Sequence, residues 1–263
     1  MSTTASNAAR FRALLAAKKM IVAPGAIDGI TSRMIEQAGF SAVYMTGAGT
    51  AMTLGYPDYG LTTMTEMVGN AARIVNSIDI PLISDSDTGF GNELNVFRTV
   101  QEFERAGVAA IHIEDQVFPK KCGHLDNKEL VSREDFVAKI RAAAAARKSK
   151  EFCVIARTDS RAVAGLEEAI ERANLALANG ADVAFVEAPQ TMAEIEAVPK
   201  RVKGPCLLNI VRGGKTPEIE FEVAERMGYA IAIVPGLLLN GIMQVCDRLL
   251  ADLKQGKFPP VNS

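Results

Sequence analysis

Val108-Ala109-Ala110-Ile111-His112-Ile113-Glu114-Asp115, running on into Gln116-Val117-Phe118-Pro119-Lys120-Lys121-Cys122-Gly123-His124, is the stretch from which fold and chemistry are both read. Its first part is a short continuous apolar run with no polar alternation, as expected of a strand buried on both faces. The run delivers two carboxylates at its end. The chain then enters a loop carrying proline, glycine, two lysines, a thiol and a histidine. A loop that only connects is served by Gly, Asn, Ser and Asp. Here a cysteine stands among Lys120, Lys121 and His124, a setting expected to bias it toward thiolate. Taken alone, the same residues also read as a solvated basic loop with an incidental cysteine.

Seven further apolar runs resemble the first: 20–24, 42–47, 81–87, 152–159, 183–188, 205–211 and 230–235. Helix-period segments separate them, among them 95–106, 133–147, 166–179 and 191–200, with Ser132 as a start signal and Gly107 and Gly180 as stops. Eight buried strands, each followed by a helical segment, predict an α/β chain folded as a (β/α)8 TIM-type barrel. An open doubly wound sheet is the alternative, but no Gly-x-Gly-x-x-Gly turn follows the first run. We expect a single domain over residues 1–263, with an N-terminal helix near 6–18 and a C-terminal helical extension from Leu237 to Gln255.

The composition narrows the possible partners. With 263 residues, 48% hydrophobic and 23% charged, the chain can bury a large core. A net charge of −2 offers no footprint for nucleic acid or an anionic membrane surface. No apolar run approaches the ~20 residues that span a bilayer, and the N-terminus lacks the pattern of a secretory signal. Cys122, Cys153, Cys206 and Cys246 are far apart, without paired metal spacing, and three lie in apolar contexts. A reducing, cytoplasmic setting is expected.

In a barrel enzyme, polar groups should collect at the C-terminal ends of the strands. They do: Tyr44-Met45-Thr46-Gly47-Ala48-Gly49 with Asp58 beyond, Asp85-Ser86-Asp87, Glu114-Asp115, Arg157-Thr158-Asp159, Glu187 and Asn209. The N-terminal ends, Ile80-Pro81, Val108-Ala109 and Gly204-Pro205, show no such clustering. Residues two apart on a strand share a face, which pairs Asp85 with Asp87, His112 with Glu114, and Arg157 with Asp159. Carboxylates converging in a barrel mouth are prohibitively costly if unpaired. A hard divalent cation held by few carboxylates and several waters resolves this, which is the habit of Mg²⁺. Zinc is disfavoured, since His112 and His124 are the only histidines and neither belongs to a ligand motif. The competing expectation is a structural network pairing Asp85, Asp87 and Glu114 with Arg157 and Lys120. His112, inside an apolar strand, is expected to be a hydrogen-bonded core residue.

At these residues the chain resembles the isocitrate lyase and phosphoenolpyruvate mutase superfamily, nearest its methylisocitrate and 2,3-dimethylmalate lyase types. The resemblance is carried by Tyr44-Met45-Thr46-Gly47, Asp85-Ser86-Asp87-Thr88-Gly89-Phe90-Gly91, Ile113-Glu114-Asp115-Gln116, Lys120-Lys121-Cys122-Gly123-His124, Ala156-Arg157-Thr158-Asp159 and Gly213-Gly214-Lys215-Thr216-Pro217. It implies Mg²⁺ (or Mn²⁺) bound by Asp85 directly and by Asp58, Asp87 and Glu114 through waters. It implies a small-molecule carboxylate held by Thr46, Gly47, Ala48, Gly123, Arg157 and Asn209. Cys122, Tyr44, Lys120, His124 and Glu187 would form the catalytic set, with Tyr44 as base and Cys122 as proton donor. The cysteine loop marks the members that split carbon–carbon bonds.

The expected function is therefore a Mg²⁺-dependent lyase on a 2-hydroxy di- or tricarboxylate, releasing a 2-oxo acid such as pyruvate and a succinate-type acid. The alternatives are a phosphonate-forming mutase, an oxaloacetate decarboxylase or hydrolase, and a non-catalytic carboxylate binder. One departure stands out: Arg212 follows Asn209-Ile210-Val211 where relatives often carry Glu. The helix from Leu237 is apolar over more than one stripe, so a homodimer or homotetramer is expected.

Overall fold

Each of the eight apolar runs becomes a parallel strand, and the strands close in sequence order into a barrel, β1 pairing with β8. In chain order the elements are α1 (Asn7–Ala16), β1 (Ile21–Ala26), α2 (Gly29–Gln37), β2 (Val43–Met45), α3 (Gly47–Thr53), α4 (Met64–Val75), β3 (Leu82–Asp85), α5 (Glu93–Arg105), β4 (Ala110–Glu114) and α6 (Arg133–Ala146). They continue as β5 (Cys153–Thr158), α7 (Ser160–Ala164), α8 (Leu166–Ala178), β6 (Val183–Val186), α9 (Met192–Arg201), β7 (Cys206–Asn209), α10 (Phe221–Met227), β8 (Ile231–Val234) and α11 (Leu237–Lys254). This computed structural model describes residues 5–125 and 127–258.

All five residues of β4 are buried, because one face looks into the barrel and the other onto the helices. Ile83, Ile155, Phe185, Leu207, Ile231 and Ile233 fill the interior together with Tyr44. The outward faces of β2 to β5 pack against α4 and α5 through Val43, Met67, Ile74, Val100 and Phe103. Helix α1 closes the bottom. Its Phe11 is fully buried in the interior cluster, worth about 1.5–3 kcal/mol for a side chain of this size. Arg12 reaches the Glu151 carbonyl (3.0 Å) and the Asp182 carboxylate (2.8 Å), both just ahead of strands, which fixes α1 on the N-terminal rim.

Local chemistry sets the element boundaries. Ser132 caps α6 by accepting from the Asp135 amide at 3.0 Å, and Thr63 and Glu66 form a reciprocal capping box at α4. Helix α5 begins at Glu93, ahead of the expected 95, because Asn92 is its cap. The strands at the mouth are shorter than the apolar runs suggest. Thr46 leaves β2 to cap α3, and β3 ends at Asp85 because Asp87 adopts a left-handed backbone (φ 47°). The last helix behaves differently from the others: none of the residues of α11 is buried.

Candidate active site

The register of the strands brings the site together before any side chain is considered. Asp85 lies opposite His112 in the β3–β4 pairing, and Glu114 opposite Arg157 in β4–β5. Tyr44 reaches across from β2, its Oη 2.8 Å from His112 Nε2 and 3.4 Å from Asp85 Oδ2. Burial lowers the His112 pKa to about 4 and so keeps the ring neutral. Burial, and then the Asp85 charge, hold the Tyr44 phenol well above its ordinary value. Helix α3 starts directly above, and the N–H groups of its first turn have no intrahelical partner. Gly47 is required there: a Cβ would stand 2.3 Å from Asp85 Oδ2.

The charge of the rim carboxylates is met in part by the pairs of the competing expectation. Lys120 Nζ lies 2.5 Å from Asp58 Oδ1 and 3.1 Å from Asp87 Oδ1. Arg157 Nη1 lies 3.2 Å from Glu114 Oε2, while its Nε and Nη2 bond Asp159 at 2.9 and 3.1 Å. The pairing is incomplete. Six carboxylates, Asp58, Asp85, Asp87, Glu114, Asp159 and Glu187, share Lys120, Lys128 and Arg157, and buried Asp87 Oδ1 and Glu114 Oε2 make no hydrogen bond beyond their ion-pair contacts with Lys120 and Arg157. Burial, opposed by Lys120 and reinforced by Asp85, raises Asp87 to about 6, and burial raises Glu114 well above its usual range. For Asp85, burial is outweighed by neighbouring positive charge, and its pKa is lowered. The excess of carboxylates over cations at this rim suits a hard divalent cation. Among the described residues no three His, Cys, Asp or Glu side chains are grouped so as to hold a metal ion by themselves.

The cysteine loop is folded down onto this rim. Gly123 touches it closely enough that a Cβ would lie 2.5 Å from Arg157 Nη2 and 2.6 Å from Glu187 Oε1. His124 Nε2 is 3.1 Å from Glu187 Oε1, and its Nδ1 accepts from the Lys215 amide at 3.1 Å. Glu187 also takes the Asn209 amide at 3.2 and 3.3 Å. The expected thiolate bias of Cys122 is corrected by this arrangement. Lys120 is committed to carboxylates, Lys121 points away to the Asn127 carbonyl (2.7 Å), and burial raises the thiol pKa. Burial thus favours the protonated thiol at Cys122.

Thus Tyr44, Asp58, Asp85, Asp87, Glu114, Lys120, Gly123, His124, Arg157, Glu187 and Asn209 all lie at one mouth, with Thr46, Gly47 and Ala48 at its edge. The Thr46 hydroxyl is occupied as the α3 cap, accepting from Gly49 N at 3.2 Å, so the Gly47 and Ala48 amides are the more available donors. Arg212 is exposed, 3.8 Å from Glu218, and does not join this cluster. Two supporting residues were not expected from sequence. The Gln116 amide donates to Glu114 Oε1 (3.0 Å) and holds the Lys121 backbone, and buried Lys128 reaches Asp159. Gln116 was visible beside the carboxylates, whereas Lys128 carries no signal beyond its place in the loop.

Comparison with known proteins agrees with the barrel fold. The family profile described as phosphoenolpyruvate phosphomutase matches residues 11–254. The chain belongs to the phosphoenolpyruvate mutase/isocitrate lyase superfamily. Within that superfamily it is 49% identical to the 2,3-dimethylmalate lyase of Eubacterium barkeri over 94% of this chain and 85% of the relative. It is 42% identical to the 2-methylisocitrate lyase of Aeropyrum pernix over 93% of this chain and 79% of the relative. Among solved superfamily structures, oxaloacetate acetylhydrolase bound to the inhibitor 3,3-difluorooxaloacetate superposes with a TM-score of 0.94 at 39% identity, covering 97% of this chain and 89% of that one. No helix among the described residues is long and apolar enough to cross a membrane.

Proposed function

We propose that this chain, one barrel domain throughout, is a Mg²⁺-dependent carbon–carbon lyase that cleaves a 2-hydroxy di- or tricarboxylate of the substituted malate or methylisocitrate type. The products are a 2-oxo acid, such as pyruvate, and a succinate-type acid. The observation that carries this reading is the Cys122 loop, seated on Arg157 and Glu187 beside a basin of excess carboxylate.

Asp85 would hold the cation, with Asp58, Asp87 and Glu114 around it through waters. A divalent cation there supplies Lewis acidity toward the forming 2-oxo group. The chain's own residues do the rest. Arg157 and the Gly47 and Ala48 amides bind and orient the carboxylate beside the reacting carbon, and Asn209, Glu187 and His124 position the distal one. The Tyr44–His112 pair receives the proton of the 2-hydroxyl: as Tyr44 takes it, its own proton moves to the neutral ring 2.8 Å away. The C2–C3 bond breaks, its electron pair staying on C3, and the Cys122 thiol protonates that carbon. Lys120 ties the loop to Asp58 and Asp87 while this happens. A protonated thiol is the form that a proton donor requires.

A second reading, hydrolysis of oxaloacetate on the same scaffold, is favoured by the close superposition on oxaloacetate acetylhydrolase. One assay separates the two. A panel of 2-hydroxy di- and tricarboxylates plus oxaloacetate is incubated with Mg²⁺ and followed for 2-oxo acid or for oxalate. Release of a 2-oxo acid from an alkylated malate or methylisocitrate supports the lyase, and oxalate from oxaloacetate alone overturns it. We further infer a homodimer or homotetramer, from the unburied apolar length of α11.

A further inference from the structure

The loop that carries Cys122 is closed at its neck by its own backbone. Gln116 and Leu130 form an antiparallel bridge, and the Val117 amide donates to the Glu129 carbonyl at 2.8 Å. From each side of that neck a side chain reaches back into the loop. On the outgoing side the Gln116 amide grips Lys121 twice, donating to its carbonyl (2.8 Å) and accepting from its N–H (3.0 Å). On the returning side Lys128, its side chain 1% exposed, sends Nζ to the Gly123 carbonyl and to Asp159 Oδ1 (2.8 Å). Cys122 lies between the two grips.

The two grips differ in what they hold. Gln116 joins the loop to its own stem and to Glu114. Lys128 joins it to Asp159, whose carboxylate also takes Nε and Nη2 of Arg157 and whose backbone N–H is held by Asp115 at 2.8 Å. The Gly123 carbonyl, one residue from the thiol, is therefore tied through one buried ammonium to the anion that orients the substrate-binding guanidinium. A lysine rarely becomes this buried without a partner of opposite charge, and here it has one partner on the barrel and one on the loop.

We propose that Lys128 is a positioning residue, the latch that sets Cys122 in register over Arg157 when the loop is down. Its ammonium is engaged by the Gly123 carbonyl and Asp159. The proposal rests on the lyase reading for what Cys122 does, but not for where Lys128 holds it. Breaking the latch leaves Arg157 and its carboxylate-binding function in place, frees the Gly123 carbonyl, and lets the loop ride up. A displacement of about 1 Å at the proton donor is enough to lose on the order of 10²-fold in rate.

The test uses Lys128→Met, which keeps the length and packing of the stem, and reads two quantities. The first is turnover of whichever substrate the wild-type enzyme accepts: kcat should fall roughly 10²-fold with KM changed less than about threefold. The second needs no turnover. Iodoacetamide alkylation of Cys122, resolved from exposed Cys246 by peptide mass spectrometry, is followed with and without oxalate plus Mg²⁺ at pH 8.5. In the wild type this carboxylate should protect Cys122, and in Lys128→Met the protection should be lost while calorimetric oxalate affinity stays within about threefold. A purely structural lysine would lower the melting temperature without changing kcat per folded molecule or the protection ratio. That result, or wild-type protection in a folded Lys128→Met enzyme, overturns the proposal. If Lys128→Met does not fold, Lys128→Gln, whose amide satisfies one buried acceptor, is read by the same two measurements and the same criteria. Absence of lyase activity in the wild type would overturn the lyase reading, yet the alkylation contrast would still decide for or against the latch.

Discussion

Arg157 and Glu114 stand opposite each other in the β4–β5 register, Nη1 of the one 3.2 Å from Oε2 of the other. The same guanidinium bonds Asp159 and lies 5.3 Å from the centre of the Phe185 ring, so one cation serves several buried anions and stacks on an aromatic face. Replacing it with Leu leaves uncompensated buried charge. We expect Arg157→Leu to lose about 3–5 kcal/mol in denaturant unfolding with chelator present. Arg157→Lys should fold but raise KM, since an ammonium cannot keep the two-pronged bond to Asp159 and a substrate carboxylate together.

Burial of Asp85 is outweighed by Lys120, Arg157 and the Asp87 amide at 2.9 Å, which hold this carboxylate of the same basin ionised. Asp85→Ala removes that favourable buried interaction, so the metal-free variant should unfold earlier than the wild type. Its Mg²⁺-dependent turnover should fall by at least roughly 10³-fold, the several kcal/mol a Lewis acid contributes. Titration with Mn²⁺ followed by electron paramagnetic resonance checks the binding. Unaltered Mn²⁺ affinity would place the cation elsewhere.

These effects show which features are legible in a sequence. The barrel could be read because a parallel strand buried on both faces is a continuous apolar run, and the mouth could be read because polar residues end those runs. The partner of each charge could not. Lys120 and Lys121 look equivalent beside Cys122, yet one turns inward to Asp58 and Asp87 and the other outward to Asn127. That choice decides whether the thiol is ionised, and it depends on burial, which is fixed by the fold. Lys128 escapes for the same reason: a lysine in a polar loop reads as solvated until tertiary packing closes over it. Asp87 in a left-handed backbone was equally hidden, since the β3 run continues through it.

His112 makes stability depend on pH in a stated direction. Burial lowers its folded pKa to about 4, against about 6.5 in an unfolded chain. Between those values the unfolded state binds the proton and the folded state does not, so stability falls as pH falls from about 6.5 to about 4. The full shift corresponds to roughly 3 kcal/mol. Metal-free wild type and His112→Asn, unfolded in urea from pH 7 to pH 4.5, should differ by an amount that shrinks toward acid. A constant difference would mean the ring is not held neutral.

Helix α11 bears on assembly. Leu237, Ile242, Val245, Leu249, Leu250 and Leu253 are each at least 40% exposed along one helix, and an apolar groove of about 330 Å³ lined by Val22, Pro24, Phe40, Ile219, Phe221 and Val234 lies beside its start. An isolated helix carrying this much apolar surface is more than a monomer ordinarily exposes. Sedimentation at micromolar concentration should show a dimer or tetramer, and Leu249→Glu with Leu250→Glu should shift it toward monomer. A wild-type monomer would count against the assembly.

In the proposed lyase reaction Cys122 is the acid of the chemical step. With the loop down, its thiol is partly buried and raised in pKa, which keeps the proton on sulfur until a carbanion of far higher basicity is formed beside it. Serine preserves shape and hydrogen bonding but holds its proton far more tightly. Cys122→Ser should therefore lose roughly two to four powers of ten in kcat, within the span ascribed to a general acid. Binding should survive, because Arg157 sits on a rigid strand end and the Gly123 carbonyl still meets Lys128. Two measurements settle the role: single-turnover release of 2-oxo acid, and calorimetric affinity for the product with Mg²⁺. Slow release with unchanged affinity places the thiol in the chemical step. Nearly full activity removes it from that step, and with it the proton donor on which the lyase reading rests.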